Sequence, residues 1–353
     1  MITLIIAIMT LNMMVFFHEL GHLITAKLTG MKVREFAIGF WKRLYSFHFH
    51  GTEYSIRLIP LGGFNDIKEL ETEGIDNRNK EKETTTETGY QNGRNLKRYL
   101  KRILVLSAGS LFNFLTAYLV ILLFLMAVGL PIIGNTIDTV MEGHAAYSYI
   151  QPQDKIIKIG DRELASGMPN PDGLNEYIRD LENPLVTVER NGTPLTFTIE
   201  KEAGELLGIK FQQEYQSISL GQAIYKSNIA FVNCTNLIIK GVDMIINSPE
   251  VKATESISGP IGVTSIMYDV TEAHGYLGLG YLFVILSINL GMFNLLPIPL
   301  FDGGHIALET FQFIIGRRLK EVQLKYINYA GLAVIVCIFV FGTYSDMLRI
   351  FNK

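Results

Sequence analysis

Four long apolar runs set the frame of this chain, and between the second and third the pattern changes from unbroken hydrophobicity to alternation. The runs are Ile2–Leu28, Ile103–Leu130, Tyr276–Leu296 and Tyr326–Phe341. Each is long enough to predict a helix at membrane scale, the first with room for some tilt. No lysine or arginine precedes the first run, whose first cation is Lys27. It is also too long for the core of a signal peptide, so it reads as a retained span that Gly30 ends.

The polar stretches between the runs carry a different period. Residues 33–40 and 45–58 alternate in part, and the second stretch, with its glycine turn at Gly51, predicts a hairpin ending at Pro60-Leu61-Gly62-Gly63. Lys68 to Asn95 is charged and poor in apolar residues, the pattern of a solvated loop. Short alternating segments at 137–140, 154–161 and 185–199, with an Asn191-Gly192 turn and a short helix over 174–181, predict a small β-rich domain within 133–201. Ser219–Ile246 predicts an amphipathic helix that lies on the membrane surface or covers the bundle. The expected fold is a polytopic α-helical membrane protein with four transmembrane helices and one inserted extracytoplasmic β-rich domain. Its parts are a membrane core in two pieces (1–130 and 273–353), the β-rich domain (131–205), and an amphipathic helix with linker (206–272).

Composition agrees with a membrane protein: 48% of residues are hydrophobic and mean hydropathy is positive. A net charge of −3 gives no sign of a nucleic-acid partner. Cys234 and Cys337 cannot make a disulfide framework or a cysteine-based zinc site, so any metal must be held by nitrogen and oxygen. Lysine and arginine concentrate in 31–102 and at Arg317, Arg318, Lys320 and Lys325, whereas 133–272 is net acidic. The positive-inside rule then places both basic connections in the cytosol and the β-rich domain outside.

Chemistry enters at His18-Glu19-Leu20-Gly21-His22. One helical turn separates the two histidines, so both imidazoles can grip one ion while Glu19 reaches a water beside it. Such groups at membrane depth are costly, which favours a functional reading over chance. Two histidines leave a zinc short of one protein ligand. Asp302 is the best candidate, because it follows the third run at about the depth His18 reaches in the first, just after Pro297 and Pro299 break the helix. The plain alternative makes Asp302 the N-cap of the next helix. Asn113 in the second run reads as a hydrogen-bonding residue between helices, with a functional role as the alternative. His305, one turn past Asp302, is a candidate for support of the site; His48 and His50 read as surface residues, and His144 and His274 carry no signal.

The His18–His22 motif and Asn294-Leu295-Leu296-Pro297-Ile298-Pro299-Leu300-Phe301-Asp302-Gly303 together resemble the site-2 protease family of intramembrane zinc metalloproteases, in particular its bacterial RseP/RasP branch. Ile38-Gly39-Phe40, Ile59 to Phe64, Ala108-Gly109 with Asn113, and Ser258 to Gly262 fall where that branch has similar motifs. The resemblance implies zinc bound by His18, His22 and Asp302, with Glu19 as general base. It further implies that Asn294, Pro297, Pro299 and the hairpin before Gly62-Gly63 position substrate, and that the β-rich domain is a single PDZ domain. The implied substrates are single-span transmembrane proteins of a bacterial plasma (inner) membrane, either anti-sigma factors or signal-peptide remnants. There are departures: Phe301 replaces a usual leucine, Trp41 stands where a glycine is common, and Gln153 occupies the glycine of the PDZ turn. The competing readings are a membrane-anchored PDZ adaptor without activity, and a metal transporter.

Overall fold

The structure, a computed structural model, describes residues 2–70, 95–164, 171–247 and 259–351. Most of the expected solvated loop, including Arg94 among the cations of 31–102, and Ser258 therefore lie outside the described residues. The chain divides into two compact units, one of residues 1–121 and 227–353, the other of residues 122–226.

The first unit is built on helices. α1 (Ile2–Leu28) is followed by β1 (Val33–Phe49) and β2 (Thr52–Ile67), then by α2 (Leu96–Ala127). The expected hairpin is longer than the alternation suggested, because both strands bend and continue. Ile38 pairs with Ile56 on one side and Gly63 on the other, and Phe36 with both Tyr54 and Asn65. Residues 35–38 are thus the centre of a curled sheet flanked by the two halves of β2. The bends need left-handed backbone at Gly39 (φ 85°), Trp41 (φ 77°) and Gly62 (φ 89°). A Cβ at Gly39 would sit 2.5 Å from the Ile59 carbonyl oxygen, and one at Gly62 would enter the Phe40 ring. The glycine that Trp41 replaces is accounted for: its position has positive φ. Val33, Phe36 and Ile67 bury against Leu23, Ala26 and Val105 of α1 and α2, so the sheet is docked on the helices by apolar contact.

The remaining helices of this unit are α4 (Leu220–Asn247, from residue 227 onward), α5 (Pro260–Asn294), α6 (Asp302–Ile315) and α7 (Glu321–Phe351). α5 starts before the expected span and is broken at Gly275 (φ 62°, ψ −159°). Buried Asp346 of α7 accepts the N–H groups of Gly259 and Gly262 at 3.0 and 2.9 Å and so caps α5 from a distance. Phe231, Cys234 and Ile238 of α4 pack with α2 and α5 around Ala117, Val284 and Ile288, so this stretch covers the bundle. Among the described residues three helical segments are long and apolar enough to cross a membrane: Leu96–Ala127, Leu277–Asn294 and Glu321–Arg349. α1, at 27 residues, also has the length of a span.

The second unit holds β3 (Leu130–Val140), a 3₁₀ turn (Ala145–Ser148), β4 (Lys155–Ile159), β5 (Arg162–Glu163), α3 (Pro171–Asp180), β6 (Leu185–Arg190), β7 (Thr193–Thr198) and β8 (Ile209–Gln216). Its sheet order is β7-β6-β4-β3-β8, with β5 on β4, and all pairs are antiparallel. Asn191 (φ 52°) and Gly192 (φ 78°) make the expected two-residue turn. β8 lies in the expected linker 206–272, although Ile209 and Phe211 alternate as strand residues do. Ile137, Ile156, Ile159, Val186, Val188 and Ile199 form the core.

A charged pair closes the turn before β4. Asp154, 1% exposed, receives two hydrogen bonds from Arg190, Nε to Oδ1 at 2.8 Å and Nη2 to Oδ2 at 2.6 Å, and one from the Gln151 N–H at 2.8 Å. Burial pushes the Asp154 carboxyl up, but the Arg190 and Gln151 bonds and the Arg190 charge outweigh it and hold the carboxyl below its usual range. Gln153, the missing glycine of this turn, sits at φ 73°. Three outcomes follow from this turn. Arg190→Ala strands a buried carboxylate, a loss of about 3–5 kcal/mol, and amide exchange in β4 and β6 is expected to accelerate by roughly two to four orders of magnitude. Because folding lowers the Asp154 pKa, its contribution is complete above about pH 4 and is lost as the pH falls below that; the wild-type chain should lose β4 protection on acidification. Gln153→Gly should slow the same exchange, by relieving about 1 kcal/mol of left-handed strain.

Candidate metal centre

The helix period alone puts His18 and His22 on one face of α1, and their rings meet edge to face with centroids 4.8 Å apart. Their Nε2 atoms lie 3.3 Å apart. Both residues are buried, at 8% and 7% exposure. The third group arrives from far along the chain. Asp302 is the first residue of α6; the N-cap position belongs to Phe301, which makes no side-chain cap bond. Asp302 Oδ2 turns instead toward the histidines, 3.3 Å from His18 Nε2 and 3.4 Å from His22 Nε2. His18, His22 and Asp302 thus offer three ligand atoms within 4.8 Å of one another.

Several contacts aim Asp302. After Asn294 the backbone leaves the helix through Pro297 and Pro299 and turns at Leu300, which has φ 78°. Gly303 and Gly304 press against the carbonyls of Leu295 and Ile298 so closely that no side chain fits there. Gly331 of α7 packs on Pro299 in the same way, a Cβ there falling 2.6 Å from the proline Cβ. On the far side of α6, buried Arg102 of α2 bonds Glu309 and the Glu69 carbonyl, and Tyr99 stacks on Phe313 at 4.3 Å. These contacts tie α6 to α2 and to the end of β2.

The tautomers suit metal binding. His22 Nδ1 donates to the Val105 carbonyl at 2.7 Å, which leaves its Nε2 lone pair free. Asn113 of α2, 0% exposed, has its amide 3.4 Å from His18 Nδ1. With the nitrogen facing His18, its Oδ1 has no hydrogen-bond partner among the described residues. Exchanging the amide oxygen and nitrogen lets Oδ1 accept from His18 Nδ1–H and frees His18 Nε2 as well. Asn113 is thus a hydrogen-bonding residue between helices, as expected, and its partner is a residue of the site itself. Asp302 Oδ2 is buried with no hydrogen-bond donor of its own. Two imidazole nitrogens and one carboxylate oxygen, converging at one point, are a donor set for zinc that leaves a fourth position open.

The other expected site residues fall nearby with differing contacts. Glu19, next on α1, receives the Asn65 amide. Gly63 packs so that a Cβ would be 3.1 Å from Glu19 Cγ, whereas Gly62 shapes the bend at Phe40. Asn294 Nδ2 lies 3.3 Å from His18 Nε2, closer to the donors than a purely substrate-facing residue would be. Pro297 and Pro299 shape the segment before Asp302. His305 lines a small cavity with Arg102, Leu106 and Glu309. The Asn65 contact had no signal in the sequence beyond a polar residue two positions after Gly63.

The chain matches the profile of peptidase family M50 over residues 6–338. It is 29% identical to a Campylobacter jejuni protein named as a candidate zinc metalloprotease, over 98% of this chain and 93% of that protein. It is also 29% identical to a similarly named protein of Fusobacterium nucleatum, covering 99% and 100%. The zinc metalloprotease RasP of Geobacillus kaustophilus is 26% identical, covering 98% and 97%.

Gly109 of α2 backs the two histidines: a Cβ there would lie 2.6 Å from His18 Cε1 and closer still to His22 Nε2. Gly109→Ala is therefore expected to displace the rings and to abolish zinc retention in the purified protein. Metal analysis by plasma mass spectrometry checks this against Gly241→Ala, where a Cβ meets nothing within 4 Å.

Proposed function

The chain belongs to peptidase family M50, the site-2 protease family, and from that premise we propose that this zinc metalloprotease hydrolyses peptide bonds inside single-span transmembrane segments. One observation carries the reading: three converging donor atoms and an adjacent carboxylate lie on and beside an apolar helix, next to a strand with an open edge.

In this reading His18 Nε2, His22 Nε2 and Asp302 Oδ2 hold the zinc. When bound, zinc polarises the scissile carbonyl and brings the pKa of a water toward neutrality. Glu19 takes the proton of the attacking water and passes it to the nitrogen of the leaving amine. Val105 and Asn113 hold the histidine tautomers that keep both Nε2 atoms available. A substrate helix must unwind first, because its carbonyls are occupied by hydrogen bonds. Among the described residues, no strand pairs with 63–67 on the side away from 33–38. An unwound segment can add to that edge and replace the backbone bonds it has given up. Gly62 shapes the bend before this edge and Gly63 brings the edge against Glu19, and Asn294 with the Pro297–Pro299 segment completes the set of substrate-positioning residues.

α1 is the fourth membrane span, its polar groups tolerated because they are buried among helices and serve the site. The basic connections, including 31–98, face the cytosol of a bacterial plasma membrane, and 131–205 is a PDZ-like extracytoplasmic domain that screens substrates. Anti-sigma factors and signal-peptide remnants are the substrate classes. The names of the relatives support metal and chemistry; the cation distribution supports the orientation.

The test uses a single-span peptide in detergent micelles with the purified protein. Glu19→Gln should retain zinc and thermal stability while losing cleavage by at least 100-fold, the order general-base removal brings. A chelator should abolish wild-type cleavage and added zinc should restore it. Cleavage that survives both treatments would sink the proposal.

A further inference from the structure

We propose that Asn65 is the positioning residue for Glu19, through which the β-hairpin sets the place of the proton acceptor. The inference rests on the reading of Glu19 given above. A glutamate on a helix surface samples several rotamers, whereas a proton acceptor must stay within hydrogen-bond reach of its water. Asn65 supplies the restraint from β2. Its Nδ2 donates to the Glu19 main-chain carbonyl at 2.7 Å and to Glu19 Oε2 at 2.7 Å. One amide group thus spends its two hydrogens on backbone and side chain of the same residue. The backbone bond fixes the amide, and the amide then aims its second hydrogen at the carboxylate. Both targets are acceptors, so chemistry settles which amide atom is nitrogen. Oε1 stays free of this bracket.

Gly63 adds a second restraint. It lies two residues before Asn65, on the same face of the strand. Its missing side chain lets β2 approach the Glu19 methylenes, with an added Cβ 3.1 Å from Cγ. Packing and hydrogen bonding therefore hold the glutamate from one strand, and that strand carries the open edge assigned to the unwound substrate. Docking of substrate on 63–67 and alignment of Glu19 are functions of a single element.

The experiment compares Asn65→Ala, Asn65→Asp and Glu19→Gln with wild type on the single-span peptide, reading kcat, KM, zinc content and thermal midpoint. Asn65→Ala should lower kcat about 10–100-fold, as loss of a supporting hydrogen bond commonly does, with KM and zinc content unchanged. Asn65→Asp keeps the shape but replaces the donor with a charge facing Glu19, so kcat should fall at least as far. A role in packing alone predicts the reverse order, with Asn65→Asp near wild type. Wild-type kcat in Asn65→Asp overturns the proposal, as does a loss confined to KM. Loss of zinc or of the thermal midpoint in both Asn65 variants also overturns it, since the role is then structural. Full cleavage by Glu19→Gln would instead remove the underlying reading of Glu19, an outcome distinct from failure at Asn65.

Discussion

Three ligand atoms brought to one point are the constraint on which the rest depends. His18 Nε2, His22 Nε2 and Asp302 Oδ2 lie 3.3–3.4 Å apart. A zinc ion turns that proximity into coordination, which makes the membrane unit a frame for holding the three atoms. The frame is visible as close backbone approach. Gly109 behind the histidines, Gly21 against Ala108, and Gly303 and Gly304 against the broken segment are all places where a methyl group would collide. Helices in an apolar solvent gain little from hydrophobic burial against one another, so such contacts and interhelical hydrogen bonds carry the association.

Polar groups inside this unit serve the same end. Asn113 reaches His18 with its side chain and takes the Ser287 hydroxyl on its carbonyl at 3.0 Å, which links α1, α2 and α5 at one point. Arg102 links α2, α6 and the end of β2. Each removes the cost of a buried polar atom by spending it on the position of a site residue or its helix. The curled sheet is the exception in material, being β structure at the margin of a helical unit. Its apolar anchor on α1 and α2 leaves one edge without a strand partner among the described residues and brings two residues of β2 onto Glu19.

Two departures from the family pattern find a common explanation. Trp41 and Gln153 both stand where the resemblance to the family leads one to expect glycine, and both have positive φ. The backbone conformation is kept although the residue best suited to it is not, at a cost of about 1 kcal/mol each. At Gln153 the Asp154–Arg190 pair sits directly beside the strained residue and holds the turn.

What the sequence determined by itself is what short range controls. Helix period places His18 and His22 on one face, apolar length marks the spans, Asn191-Gly192 specifies a two-residue turn, and two prolines end the helix before Asp302. Cysteine content limited the metal to nitrogen and oxygen donors. Tertiary structure decided what separation in the chain conceals. It alone placed Asp302 toward the histidines instead of in a cap, bent β1 and β2 into a sheet of four segments, and recruited Ile209–Gln216 as a strand. It also brought Asn65 onto a glutamate 46 positions earlier. Local preferences act over one turn or one strand pair. The direction of a carboxylate or an amide is set by whichever partner the packed chain delivers to it.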